Sequence, residues 1–482
     1  MADNRELFEE YVADRSRRGA EPAGAVSGSA GGSACGDLVR ISLLVLDGGV
    51  DSATFEADGC AALAACAAAI CEEVEGEPVL AAAALSANRV ADLVGGLSPQ
   101  GRHAADLVGD ALGRALATLA SSGDEMCPAP ATGERVLVAL SGGVDSAVAA
   151  VLERERGAQV VAVTLKLWAD ERTDGTQACC SPEAVRGARA LAHSLGIPHL
   201  TLDLERPFRD RVVRTFVRGY SEGETPNPCV LCNGALRIDA MVALADRLGA
   251  SHLVTGHYAE IADDGEGPLL RVAADEAKDQ TYMLSGVSPA TIARLRFPLA
   301  ALTKPEVRER AAAAGLAVAS KRESQDLCFL AGEGKRSFLA RHGLADRPGE
   351  VVGLAGEVLG EHPGHHHFTV GQRRGLGVAN AEPMYVVRTE AKRNRVVVGG
   401  REDLATTQVR MRDAHLHRSS ARANCVRLRY HSHALPCRVS AAGAGKHAEL
   451  ELELDVPAYG VSPGQTACLM DGDLVIGRAT IA

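Results

Sequence analysis

Apolar and polar residues alternate over residues 38–46 and, after the turn Gly48-Gly49, over 52–56. That pattern predicts a β-hairpin. Helical periodicity follows at 61–74 and 104–119, so the first block reads as a small α+β unit. The Gly-, Ser- and Ala-rich run from Gly24 to Gly36 reads as a flexible lead-in, and Ser121-Ser122-Gly123 with 128–133 reads as a linker. From residue 136 the pattern changes: strand-like runs at 136–140, 160–165, 199–203 and 253–255 alternate with helix-like runs at 182–195 and 238–248. Such alternation predicts an α/β unit, a parallel sheet with helices on both faces. Ser181-Pro182 is a helix start, because serine caps and proline fits the first helical position. Beyond about residue 345, short runs at 385–388, 395–398, 426–430, 449–454, 466–470 and 474–479 are separated by turn signals such as Asp471-Gly472. They predict a small antiparallel barrel. The expected domains are 1–127, 128–337, 338–400 and 401–482, without internal repeats.

A chain of 482 residues, 46% of them apolar, is globular and expected to divide into roughly three domains. Aromatics are only 3% of it, so alanine-rich helices must supply much of the packing. The first ten residues are acidic with no apolar run, and no later stretch is long enough to span a bilayer, which predicts a cytoplasmic protein without membrane contact. Thirteen cysteines in such a chain point to thiol chemistry or metal ligation rather than a disulfide framework. The net charge of −11 is unevenly placed: residues 1–130 hold 20 acidic against 8 basic side chains, while 388–438 hold 12 basic against 4 acidic. The basic stretch reads either as a solvated face or as a phosphate-binding surface.

Ser141-Gly142-Gly143-Val144-Asp145-Ser146 follows an apolar strand and precedes a helical run. Glycines let backbone approach a polyphosphate, and a helix amino terminus offers N–H groups and a favourable dipole. The loop lacks the lysine of a Walker A motif, so the γ-phosphoryl need not be the group transferred. Asp145 could help hold magnesium. The second chemical segment is Thr225-Pro226-Asn227-Pro228-Cys229-Val230-Leu231-Cys232-Asn233. Its two prolines predict an exposed, non-helical turn that presents a Cys-x-x-Cys pair outward. Cys328, in Asp326-Leu327-Cys328-Phe329, is a third thiol that could join the pair in space.

From about Glu134 onward these segments resemble the bacterial tRNA-specific 2-thiouridylase family. The likeness extends through Thr255-Gly256-His257-Tyr258, Lys278-Asp279-Gln280, Cys328-Phe329, the run from Thr369 to Gly377, and Ser462-Pro463-Gly464-Gln465. It implies a pyrophosphatase-type ATP-binding domain, a small linking domain and a C-terminal antiparallel β-barrel that binds tRNA. It also implies a reaction in which ATP with Mg2+ activates the wobble-uridine C2 oxygen as an adenylate and sulfur displaces AMP. Cys328 matches the persulfide-carrying cysteine and Cys232 its partner nucleophile. Ala139, Leu140, Ser141, Gly142, Gly143, Val144, Asp145, Ser146, Leu165 and Gly256 would line the ATP site. Asn227, Pro228 and Cys229 would contact the target base, and His257, Lys278, Asp279, Gln280, Arg429, Tyr430 and Gln465 the tRNA. The implied partners are tRNA and a cysteine desulfurase or sulfur-relay protein.

Two departures matter. Cys229 stands where this family often has aspartate, so Cys229, Cys232 and Cys328 could hold a 4Fe-4S cluster with one open iron; the persulfide and cluster routes both stay open. The first block resembles iron-sulfur scaffold proteins, whose ligand positions Cys35, Asp37, Cys60 and His103 reproduce, but Ala104 replaces that family's third cysteine. Cys66 and Cys71 lie on the intervening helix and read as packing. The block is expected to bind a metal or accept sulfur from a desulfurase. Cys179-Cys180 reads as local structure. The alternatives are another ligase with the same ATP loop, such as a tRNA lysidine synthetase, or a non-enzymatic iron-sulfur carrier.

Overall fold

The computed structural model describes the chain except residues 1, 33–35, 124–125, 169–181, 322–326, 331–332 and 379–381. Cys35, Cys179, Cys180 and the Ser181 cap therefore lie outside the described residues.

The first unit is a three-stranded antiparallel sheet, β1 (Val26–Gly31), β2 (Leu38–Leu46) and β3 (Gly49–Asp58), covered by the helices Ala61–Val74 and Arg102–Ser122. Asp47 and Gly48 both take positive φ, 49° and 79°, as a tight right-twisted hairpin requires. The glycine- and serine-rich segment is not a lead-in: it forms β1, paired with β2 from Val26 opposite Leu43 to Gly31 opposite Leu38. Its small residues serve packing, since a Cβ on Gly28 would overlap the backbone of helix Arg102–Ser122 at Ala111 and Ala115. The acidic start also folds, as helix Ala2–Ala13, because Phe8, Tyr11 and Val12 at helical spacing pack against the core.

The second unit is a parallel sheet in the order β10-β7-β4-β5-β6, made of β4 (Arg135–Ala139), β5 (Gln159–Lys166), β6 (His199–Asp203), β7 (His252–Thr255) and, later in the chain, β10 (Leu295–Arg296). The chain moves outward from β4 through β5 to β6, then returns to place β7 on the other side of β4. That reversal opens a crevice at the carboxyl ends of β4 and β7, where ligands of open α/β sheets bind. Buried side chains of this unit and the first form one continuous core. Arg247 donates to the carbonyls of Leu119 (2.9 Å) and Ala120 (2.6 Å), satisfying the end of helix Arg102–Ser122.

Strands β8 (Glu260–Asp263) and β9 (Pro268–Arg271) leave the parallel sheet and pair, through β9 and β20, with the last part of the chain. The strands after residue 345 divide between a linking sheet and a barrel. β11 (Gly349–Val352), β12 (Val358–His362), β13 (Tyr385–Glu390) and β14 (Arg395–Gly399) form a mixed four-stranded sheet in which β11 and β14 are parallel. β15 (Ala405–Leu416), β16 (Cys425–Arg427), β17 (Leu435–Val439), β18 (Gly445–Tyr459), β19 (Thr466–Asp471) and β20 (Leu474–Ile481) close into a six-stranded antiparallel barrel as β20 returns to β15. Closure leaves no unpaired edge.

The basic stretch is largely neutralised. Arg395 pairs with Glu350, Arg412 with Glu224, Arg418 and Arg422 with Asp264, Arg427 with Asp279 and Arg438 with Asp455. Most of these arginines tie the barrel to other units instead of facing outward. Among the described residues no helix is long and apolar enough to cross a membrane.

Candidate functional site

The loop after β4 sits in the crevice. Gly142 takes φ 69°, and Gly143 is the amino-terminal cap of helix Val144–Glu155, so the first-turn N–H groups face the crevice mouth. Ser146 is buried; its Oγ accepts from Ser141 N (3.1 Å) and donates to Gly143 O (3.1 Å), tying the loop to its own helix. Gly256, following β7, presses on that helix start: a Cβ there would come within 2.6 Å of Ser146 N. Leu140 is held from behind, donating to Val163 O, while Thr164 Oγ1 donates to its carbonyl.

The cysteine segment differs from the expected outward turn. Asn227 caps a helix, its Oδ1 accepting from Cys229 N (3.1 Å) and Val230 N (3.3 Å), and Pro228 occupies the first helical position. Cys229 and Cys232 therefore lie in the first turn of a helix that runs through a π segment, Asn233–Arg237, into Ile238–Arg247. Cys232 is buried and Cys229 half-buried. An Asn-Pro pair is a helix-start signal as good as Ser-Pro. Cys328 is positioned by its neighbour: Phe329 is buried in an aromatic cluster, with ring centroids 5.1 Å from Phe216, 5.1 Å from Phe338 and 5.8 Å from Phe208. Four of the chain's eight phenylalanines meet in this cluster beside the thiol.

One cavity of about 670 Å³ is lined by Ala139, Leu140, Ser141, Asp145 and Leu165 and also by Cys229, Cys232 and Cys328. Pro228, His257, Lys278, Gln280 and Tyr430 line it as well. His257 is half-buried on this wall and accepts or donates at Nδ1 to Thr255 Oγ1 (2.7 Å); desolvation, aided by the Arg237 charge, pushes its pKa down to about 3 and keeps the ring neutral. Other expected residues do not line the cavity but build around it. Asp279 is buried, accepting from Thr281 Oγ1 (2.7 Å) and paired with Arg427 (2.6 Å), so it holds its loop to the barrel rather than facing RNA. Gln465 donates to Thr225 O (2.6 Å), and Thr225 N donates to Pro463 O (2.8 Å), which clasps the approach to the cysteines from the barrel side. Arg429 is exposed and donates to Tyr459 O (3.0 Å).

In the first unit Asp37, Cys60 and His103 offer ligand atoms all within 4.8 Å of one another. Asp37 accepts from Cys60 N (2.9 Å) and Cys60 Sγ (3.3 Å) and bonds His103 Nε2 (2.7 Å). The His103 hydrogen bond lowers the pKa of Asp37 and the same bond raises that of His103. Partial desolvation, then the carboxylate, raises that of Cys60. Cys66 and Cys71 are fully buried in helix Ala61–Val74, with pKa values pushed up to about 12 by desolvation, and neither belongs to the group of close ligand atoms formed by Asp37, Cys60 and His103.

Residues 134–332 match the family described as tRNA methyl transferase HUP domain, 336–400 its PRC-barrel domain, 403–481 the aminomethyltransferase beta-barrel domain, and 3–123 the NifU-like N terminal domain. A bifunctional protein NifU/MnmA of Rubrobacter xylanophilus is 43% identical over 94% of this chain and 93% of its own length. The chain belongs to the bifunctional NifU/MnmA family. The MnmA part alone is similar to tRNA-specific 2-thiouridylases of Acidithiobacillus ferrooxidans (40% identity over 72% of this chain and 98% of the relative) and Methylorubrum populi (45% over 73% and 95%).

In the MnmA part, two lysines were missed by the reading of the loop. Lys304, the first residue of helix Lys304–Ala313, is buried and places Nζ 2.7 Å from both oxygens of Asp145, whose Oδ1 also accepts from Tyr258 OH (3.0 Å). Lys321 Nζ donates to Gly142 O (2.9 Å). The fold thus brings a lysine against the loop's Asp145 from about 160 residues away. A signal existed: Thr303 and Glu306 form a capping box, and a lysine inside such a helix start opposes the dipole, so it needs another partner.

Proposed function

We propose that this chain replaces the C2 oxygen of the wobble uridine of tRNA with sulfur, using ATP. The observation that carries the reading is the shared cavity, where a phosphate-type loop and three cysteines face the same space. Its volume suits a nucleotide or an extruded base. Relatives named tRNA-specific 2-thiouridylase point the same way, and the thiols favour sulfur over the methyl group in the matched family descriptions.

The phosphates of ATP rest on the N–H groups of Gly143 to Ser146, with Lys321 beside them; a magnesium ion held by Asp145 would take the place on that carboxylate where Lys304 Nζ now sits, which frees the lysine for the phosphates. The target uridine leaves the base stack to reach this depth. Its O2 attacks the α-phosphorus and pyrophosphate departs; a carbonyl oxygen is a poor leaving group, whereas AMP is a good one. The terminal sulfur of a Cys328 persulfide then bonds to C2 and AMP leaves with the C–O electron pair. Cys232 thiolate attacks Sγ of Cys328, the S–S pair returns to the substrate sulfur as the thione, and the resulting disulfide is reopened by a dithiol reductant. The donor set also suits an iron-sulfur cluster held by Cys229, Cys232 and Cys328, which when bound would offer an open iron for sulfide. Cys229 separates the two routes: C229A with unchanged activity and no iron in the active protein supports the persulfide.

Asp37, Cys60 and His103 form a fitting acceptor for a metal or for sulfur from a desulfurase, placing sulfur supply and sulfur use in one chain. The test of function is nucleoside mass spectrometry of tRNA incubated with the full chain, ATP, cysteine and a cysteine desulfurase, which delivers sulfur already at the persulfide level. 2-Thiouridine at the wobble position, formed only with ATP, is expected; its absence, with ATP turnover independent of tRNA, contradicts the reading.

A further inference from the structure

A second constellation lies apart from both sites. The turn His365–His367 follows β12, and Asp346 lies just before β11; Asp346, His366 and His367 offer ligand atoms all within 4.8 Å of one another. His367 Nε2 is 2.7 Å from Asp346 Oδ1, and His366 Nε2 is 3.6 Å from the same oxygen. His366 is 3% exposed, and its Nε2 is buried without a hydrogen-bond partner. A buried nitrogen whose nearest acceptor lies beyond hydrogen-bond distance is costly unless it has a use. The carboxylate is divided: Arg336 bonds Oδ2, which leaves Oδ1 turned toward the two imidazoles. The ring of His366 lies over Gly364, where a Cβ would come within 2.5 Å of Cε1, so its position depends on the absence of a side chain there.

We propose that Asp346, His366 and His367 bind a divalent transition-metal ion, zinc by the chemistry of the set. Two neutral imidazoles and one carboxylate are ligands that zinc accepts, with water completing a tetrahedron. Arg336 acts as the outer partner that orients the carboxylate. The ion clips the linking sheet at a sensitive place. His365 Nε2 lies 3.3 Å from Ser221 O, and two residues after the turn Thr369 Oγ1 accepts from Thr225 Oγ1 (3.2 Å), at the approach to Cys229. Zinc therefore holds the segment that abuts the cysteine helix, and takes no part in the chemistry.

The test uses the full chain, stripped with chelator under reducing conditions and reloaded with zinc or with cobalt(II) as a spectroscopic probe. Wild type is expected to retain one more zinc per chain than Asp346→Asn or His367→Gln, both near-isosteric and neither in the core. Cobalt in wild type should show visible bands from nitrogen and oxygen ligation that both variants lose, while near-ultraviolet thiolate absorption from the cysteine sites stays the same. Zinc should raise the melting temperature of wild type more than that of either variant. Equal zinc content and equal cobalt bands in wild type and both folded variants would overturn the proposal, as would binding so weak that dialysis removes it from wild type.

Discussion

Replacing Gly256 with alanine is the sharpest probe of the nucleotide loop, because its effect follows from geometry alone. The added Cβ would lie 2.6 Å from Ser146 N, 2.7 Å from Asp145 C and 3.0 Å from Asp145 O, all backbone atoms at the start of helix Val144–Glu155. Backbone cannot rotate away as a side chain can, so the helix start must retreat by about half an ångström or more in a close-packed interior. Overpacking of this kind costs about 1–3 kcal/mol. A misplacement of this order in a catalytic constellation lowers rates by up to about 100-fold. Gly256→Ala is therefore expected to reduce tRNA-dependent pyrophosphate release by about 10- to 100-fold, with a modest loss of melting temperature. Gly187→Ala is the control: it sits on helix Pro182–Ser194 with open space around it and should gain up to about 1 kcal/mol of stability with no change in rate. Pyrophosphate release by Gly256→Ala within about twofold of wild type would refute the reasoning.

Cys60→Ser should slow thiolation driven by a cysteine desulfurase and spare thiolation driven by added sulfide, which attacks C2 of the adenylate directly as AMP leaves; equal loss in both assays would contradict a delivery role for the first unit. Arg296 pairs with the fully buried Glu153 (2.8 Å) and with Glu134 (2.8 Å), so Arg296→Ala leaves that buried carboxylate only the longer contact to Arg156 (3.6 Å) and should cost about 3 kcal/mol in urea unfolding, against little change for an exposed arginine such as Arg5. Desolvation lowers the pKa of His417 to about 4 and that of His199 well below the ordinary 6.5. Below about 6.5 the unfolded chain then binds protons that the folded chain does not. Stability should fall from pH 6.5 toward pH 4, by about 1.4 kcal/mol per pH unit for each such histidine. A His199→Gln variant that leaves the slope between those values unchanged would contradict this.

What could be read in advance was local. The Ser141 loop, its strand and its helix are contiguous, so spacing revealed them together, and the hairpin of β2 and β3 announces itself through Asp47-Gly48-Gly49. Non-local features were hidden. Lys304 and Lys321 reach the loop only through the fold, and β8 and β9 belong by sequence to the ATP-binding part but by pairing to the barrel. β1 was concealed because packing beneath a helix selects glycine and serine, the residues that otherwise signal loops. The cysteine helix was concealed because proline was read as a breaker where, after Asn227, it is a first-turn residue. The metal constellation lay unread since Asp346 stands twenty residues before His366 and the three meet only across the linking sheet.

The account stands on Cys328 and the ATP loop serving one base in two separable steps. A single-turnover reaction of Cys328→Ser with tRNA, ATP and a desulfurase-generated persulfide donor tests this, reading pyrophosphate and nucleosides from the same tube. Pyrophosphate released at close to the wild-type rate with no 2-thiouridine is the predicted result. Wild-type amounts of 2-thiouridine from Cys328→Ser would contradict it.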